Sequence, residues 1–395
     1  MHLGLSPEQN ALRQELREYF SALVTPEVRA GLAASTGEFG EAGVYKGVIK
    51  QLGSDGWLGI GWPTEYGGQD RSMVDQLIFT DVAADHGVPI PYLTLNTVGS
   101  TIMRYGTDAQ KEFFLPRILA GDLHFSIGYS EPGSGTDLAS LRTKATREGD
   151  EWVINGQKMW TSLIQYADWI WLACRTDPDL PRHKGLSMIL VPADADGFSY
   201  TPVHTVAGVG TSATYYDDVR VPASNLVGEL NGGWSLMTNQ LNHERVALTS
   251  SAPLVQSLGL VREWAQQTKD PDGGRVIDRE WVQLALGRAQ ARVRMLTLVN
   301  WKLASDADLG VDLSPAEASA TKIYGSELAT EVYRSLMEIV GPHAGLGVDS
   351  PDAVVAGRLE RMYRSALVMT FGGGTNEIQR DIIGYVGLGL PAAKR

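Results

Sequence analysis

Along the first third of the chain, apolar residues recur at helical spacing. In SPEQNALRQELREYF (6–20) and just beyond it, Leu12, Leu16, Phe20 and Leu23 fall on one helix face. Ser6, Pro7 and Gln9 supply an N-cap, a first-turn proline and a capping-box partner. Further helices are predicted over 41–56, 72–86 and 108–119, separated by glycine turns such as EYGGQ (65–69). From Asp122 to about residue 232 the period shortens. LHFSIGY (123–129), WVIN (152–155), WIWLAC (169–174), SMILV (187–191) and ATYYDDVRV (213–221) are β-rich runs between turn signals. They predict the strands of a sandwich or barrel, with Asn155-Gly156 as a hairpin turn. Beyond Gly232-Gly233 helical spacing returns over roughly 234–267, 278–304, 314–340, 353–369 and 376–387. Strands do not alternate with helices, which argues against a parallel nucleotide-binding sheet. The predicted architecture is multi-domain α+β: an N-terminal α-helical domain over 1–121, a middle β-barrel over 122–232 and a C-terminal α-helical bundle over 233–395.

Composition narrows the class. With 395 residues, 43% hydrophobic and 20% charged, the chain reads as an ordinary globular protein long enough for several cores. A net charge of −12 without a basic stripe argues against nucleic acid as a partner. The single cysteine, Cys174, cannot form an intramolecular disulfide, and the seven histidines show no HExxH or HxxxH pairing, so no metal is expected. Neither a signal peptide nor a bilayer-length apolar run is visible, so the expectation is a cytoplasmic protein with no membrane partner.

Two segments carry candidate chemistry. IGYSEPGSGTDLASLRTKA (127–145) offers backbone N–H groups and small hydroxyls in a glycine-rich turn. WVINGQKMWTS (152–162) is expected to end a strand with Trp160 and Ser162 on one side, an aromatic plane beside a donor. A planar, hydrogen-bonding heterocycle such as a flavin needs that combination. Trp160 taken alone reads as a barrel-core aromatic.

Taken together, the two segments and the helix–barrel–helix order resemble the acyl-CoA dehydrogenase family over essentially the whole chain. The resemblance implies FAD between the middle barrel and the C-terminal helices, and α,β-desaturation of an acyl-CoA thioester. A base removes the α-proton while the β-carbon gives a hydride to flavin N5. By this resemblance Tyr129 and Ser130 bond the flavin pyrimidine, Trp160 packs on the ring and Ser162 lies near N5. Gly135, Thr375 and Glu377 join them as cofactor-binding positions, and Thr136 lies where flavin and CoA-ester contacts meet.

Many family members carry the catalytic glutamate just before the Gly-Thr of the loop that reads FGGGTNEIQR (371–380) here, and that position is Gly373. Its backbone N–H remains as an oxyanion donor. In the isovaleryl-CoA dehydrogenase branch the base comes instead from a helix with an L-x-x-E-R-[VL] context. LNHERVAL (241–248) places Glu244 there, with Asn242 and Arg245 as substrate-binding positions. Glu244 is therefore the expected base, its plain alternative being a surface helix residue in an ion pair.

Two departures from the family pattern imply an unlike partner. The Arg-x-x-Phe-Gly region reads RVIDREWVQ (275–283) without Phe-Gly. The Gln-x-x-Gly-Gly turn reads EIVGPHAG (338–345), with Glu338 for the glutamine and Pro342 for a glycine. The matches over 92–108, 123–145, 236–248 and 371–384 resemble the base-bearing subunit of actinobacterial α2β2 steroid side-chain acyl-CoA dehydrogenases. That resemblance implies cholesterol-derived steroid CoA esters as substrates, a homologous acyl-CoA dehydrogenase subunit as partner and an electron-transferring flavoprotein as acceptor. The alternatives are a homotetrameric branched- or medium-chain acyl-CoA dehydrogenase and an inactive scaffold subunit.

Overall fold

The computed structural model describes residues 4–33, 42–208, 210–238, 249–348 and 350–391. Helix α1 (Pro7–Leu23) starts as its sequence dictates. Gln9 N donates to Ser6 Oγ at 3.2 Å, and Ser6 N donates to Gln9 Oε1 at 2.9 Å. A cap of this kind contributes about 1 kcal/mol. Leu12, Leu16 and Phe20 are buried, while Leu23 sits half-buried at the edge of the same face. Helices α2 (Pro26–Ala33), α3 (Ala42–Ser54), α4 (Met73–Asp85), α5 (Ser100–Tyr105) and α6 (Asp108–Leu119) follow.

The strands are β1 (Phe125–Gly128), β2 (Lys144–Glu148), β3 (Glu151–Lys158), β4 (Trp169–Arg175), β5 (Leu186–Pro192), β6 (Phe198–Val203), β7 (Thr211–Pro222) and β8 (Leu226–Val227). They form one sheet in the order β6-β7-β3-β2-β4-β5-β8, with β1 parallel to β4. Strands β4 and β5 are buried on both sides. Trp171, Ala173, Met188 and Leu190 join the N-terminal helices in one core, and Ile170, Leu172, Cys174, Ile189 and Val219 pack in a second core within the curled sheet. This explains why WIWLAC is unbroken in its hydrophobicity: alternate side chains serve different cores.

Asn155-Gly156 is not a hairpin turn. Both residues lie inside β3, where the register against β7 shifts between Ile154 and Gly156. Gly156 has φ 152°, and a Cβ there would lie 2.7 Å from the Cα of Thr143. Asn155 Nδ2 donates to Asp218 Oδ1 at 2.8 Å, so the strong turn signal is spent on bracing a bulge. The hairpin turn is Gly149-Asp150, flanked by the paired residues Glu148 and Glu151, with Gly149 at φ 60°.

The long helix expected over 234–267 is also interrupted. Residues 233–238 are helical, the chain is non-helical at Thr249–Ser251, and α7 (Ala252–Gln267) begins with Pro253 in its first turn. Helices α8 (Glu280–Asp308) and α9 (Pro315–Val340) form the centre of the C-terminal bundle. The helix expected over 353–369 is regular only as α10 (Arg358–Ala366), because Val355 and Ala356 adopt φ 53° and 51° just before it. Helix α11 (Asn376–Ile382) follows the glycine-rich loop. No helix among the described residues is long and apolar enough to cross a membrane.

Candidate active site

The segment that continues β1 lies beside the chain leaving β3. Met159 N donates to Ser130 O at 2.8 Å, and Ser126 Oγ donates to Ser162 O at 2.8 Å. Tyr129, Ser130, Trp160 and Ser162 therefore meet, but not by strand alternation. β3 ends at Lys158, and Trp160 stands at φ 65°. It is pinned by Thr161, which is fully buried and exchanges two backbone hydrogen bonds with Ser212 at 2.9 and 3.1 Å. The Trp160 indole is turned outward and is 55% exposed, which excludes the core-aromatic reading. Tyr129 is half-buried, and its hydroxyl accepts from Trp171 Nε1 at 3.1 Å. The hydroxyls of Ser130 and Ser162 bond no other described residue. Gly135 and Thr136 are exposed in the turn that follows the Glu131–Ser134 backbone bridge.

Beneath this edge lies a buried ion pair that sequence reasoning missed. Lys158 is fully buried and donates to Glu131 Oε1 at 2.9 Å and to Tyr129 O at 3.0 Å. The Glu131 carboxylate also accepts from Arg142 N at 2.7 Å and Thr143 N at 2.8 Å. Burial works against its charge, but Lys158 and the backbone donors outweigh that penalty and hold its pKa below the ordinary range. Glu131 of the SEPGSGTD turn is thus committed to structure. The sequence carried little signal for Lys158, which follows the polar run Asn155-Gly156-Gln157 at the end of β3.

The C-terminal loop is held from α9. Lys322, fully buried, donates to Thr370 O at 3.2 Å, Gly374 O at 2.8 Å and Asn376 Oδ1 at 2.7 Å. Within the loop Gly373 and Gly374 have φ 67° and 95°, and their N–H groups bond no other described residue. Neighbouring N–H groups left without a described partner in a turn are donors suited to an anion or a carbonyl oxygen. Thr375 caps α11, its hydroxyl accepting from Ile378 N at 3.3 Å, and Glu377 is exposed in the first turn. Asn376 is buried, and its side chain bonds Lys322 and Ser326 of α9.

Asn242, Glu244 and Arg245 lie outside the described residues. The chain is described again from Thr249, which is seated against α8 and α9: its O accepts from Asn300 Nδ2 of α8 at 3.1 Å, and a Cβ on Gly325 of α9 would lie 2.5 Å from Thr249 Cβ. Gly325 is one turn beyond Lys322, so a single face of α9 holds both the glycine loop and the end of the segment bearing Glu244. No hydrogen bond joins the Trp160 edge to the glycine loop among the described residues. One described hydrogen bond between their domains is from Arg364 of α10, which donates to Val206 O. Elsewhere, Arg275 is paired with Asp278 at 2.7 Å and Arg279 with Asp270 at 2.7 Å, so both turn into their own loop. Glu338 and Pro342 are exposed.

Family models described as the N-terminal, middle and C-terminal domains of acyl-CoA dehydrogenase match residues 6–122, 126–219 and 231–388. The chain is 62% identical to the acyl-CoA dehydrogenase FadE26 of Mycobacterium tuberculosis (strain ATCC 25618 / H37Rv), over all of both chains. Among solved structures it is similar to a chain of the ChsE4-ChsE5 complex from Mycobacterium tuberculosis, with TM-score 0.92, 61% identity and full coverage of both chains. It is also similar to a chain of the Tcur3481-Tcur3483 steroid ACAD, with TM-score 0.92, 47% identity and full coverage of both.

Proposed function

This chain belongs to the acyl-CoA dehydrogenase family, and from that premise we propose that it is the base-bearing subunit of a heteromeric dehydrogenase for steroid side-chain CoA esters. The residues at the Trp160 edge fit FAD. A large indole that the protein leaves 55% exposed on a left-handed backbone has no role in the chain's own packing, and a planar ring would cover it. Tyr129, Ser130 and Ser162 would hold that ring, with Gly135, Thr136, Thr375 and Glu377 as further contacts. Bound FAD supplies the acceptor for the hydride that leaves the β-carbon.

The chain's own residues supply the proton chemistry. Gly373 and its neighbour donate backbone N–H groups to the thioester oxygen, which makes the α-proton acidic enough to remove. Glu244 takes that proton, and Asn242 and Arg245 hold the CoA ester beside it. The observation that carries this reading is the loop itself. Where a carboxylate could stand there are two consecutive left-handed glycines whose N–H groups bond no other described residue, which supports the loop as a donor cradle with the base coming from elsewhere.

The similarity to the steroid dehydrogenases supports the substrate class and the unlike partner. The absence of Phe-Gly after Arg275 and the Glu338 and Pro342 substitutions support the same partner, and Arg275 and Arg279 are each paired with an aspartate of their own loop. Electrons then pass to an electron-transferring flavoprotein.

The test is anaerobic titration of the co-produced complex with fatty and steroid CoA esters. Steroid esters bleach the flavin band in the wild-type complex. Glu244→Gln retains the yellow colour and loses turnover by about four orders of magnitude. Unchanged turnover in that variant leaves a scaffold subunit as the surviving reading.

A further inference from the structure

Lys322 has no place in the chemistry above, yet it is a fully buried ammonium fixed at the glycine loop. Its Nζ grips the loop at both ends, through Thr370 O at 3.2 Å and Gly374 O at 2.8 Å. The arc between those grips contains Gly372, Gly373 and Gly374. Glycines at φ 67° and 95° are conformationally permissive, so the arc has little stiffness of its own. A donor cradle polarises a carbonyl only if its N–H groups are held in place before the substrate arrives. Three further contacts secure the C-terminal side of the arc to the same helix. Asn376 accepts from Lys322 at 2.7 Å, Asn376 Nδ2 donates to Ser326 Oγ at 3.1 Å, and Ser319 Oγ donates to Gln379 Oε1 at 2.8 Å.

We propose that Lys322 is a positioning residue for thioester polarisation: it fixes the Gly372–Gly374 arc so that the Gly373 and Gly374 N–H groups converge on the carbonyl oxygen, and its charge strengthens their field. The inference rests on the oxyanion reading of the loop proposed above. The effect falls on the transition state more than on binding, because CoA affinity comes from contacts remote from the carbonyl.

The experiment uses the FAD-loaded assembly containing the full chain, with the enoyl-CoA product of a cholesterol side-chain acid labelled with 13C at the thioester carbonyl. Infrared difference spectra report how far binding shifts the carbonyl stretch from its solution value. Lys322→Met, close in volume and uncharged, should move the band back towards solution and lower kcat about 10- to 100-fold with KM little changed. Lys322→Gln keeps two N–H donors and should read between Met and wild type. It also decides the matter if the Met variant does not fold. A carbonyl band and kcat at wild-type values in a folded variant overturn the role of Lys322. No shift in the wild-type assembly overturns the oxyanion reading itself, which is a separate result.

Discussion

Lys158 and Trp160 are two positions apart and have opposite fates. The first is buried and neutralised by Glu131, and the second is pushed into solvent on a left-handed backbone. Because Trp160 packs so little against its own chain, Trp160→Ala should change apo-protein stability by less than about 1 kcal/mol. Flavin retention through gel filtration should fall sharply, so thermal melts and flavin absorbance would separate the two effects. Asp81 of α4 is a different case. Its largely buried carboxyl accepts from Ser250 Oγ at 3.2 Å, and burial raises its pKa to about 7. A raised folded-state pKa means stability that is complete below the ordinary carboxylate range and is lost as pH rises towards 7. Asp81→Asn should therefore match wild type near pH 4 and melt higher than wild type at pH 8, by an amount on the order of 2 kcal/mol. A wild-type melting profile across that window in the variant would count against a buried, titrating Asp81.

At the scale of elements, the β3 bulge sets where the cofactor edge falls. A bulge moves every later side chain by one register position, so Lys158 points inward and the chain can leave the strand before Trp160. Gly156→Ala should be costly because φ 152° disfavours a side chain and the new Cβ would meet the Thr143 backbone at 2.7 Å. A loss of about 1–3 kcal/mol is expected from denaturant titration, together with weaker flavin binding. Helix α9 plays the matching part in the C-terminal half. Ser319, Lys322, Gly325 and Ser326 form a polar and small stripe on a largely apolar helix, and this stripe holds the glycine loop and Thr249. In the sequence that stripe looked like ordinary helix composition, since its partners Gly374 and Gln379 lie 52 and 60 residues further on and Thr249 lies 76 residues back along the chain.

For the whole molecule, α4 links the N-terminal helices to the C-terminal bundle. Asp308 of α8 accepts from Met73 N and Val74 N, Ser250 bonds Asp81, and Gln256 Nε2 donates to Asp85 O at 2.7 Å. These contacts tie Ser250 and the start of α7 to α4 of the N-terminal helices. Incomplete flavin occupancy is the molecular-scale prediction. Produced alone, the chain should carry well under one FAD per subunit, and co-production with a homologous subunit should give one FAD per unlike pair, read by absorbance and light scattering. Full occupancy and turnover of the lone chain would defeat the unlike-partner reading.

The sequence by itself determined the order of helical, β and helical regions, the capped first helix and the glycine loop, because each depends on residues near one another along the chain. It also carried the family resemblance, which covers the whole length. What tertiary structure decided was the use of each signal. Asn155-Gly156 has the makings of a turn and became a bulge, because β7 and Thr143 pack against it. Glu131 could have been chemistry and became half of a buried pair, since Lys158 reaches it across 27 residues of chain. Trp160 has the composition of core and stands outside it, because Ser130 and Ser212 fix the backbone on either side. Local spacing specifies what an element can form, but only long-range contacts specify which of its groups are left free to act.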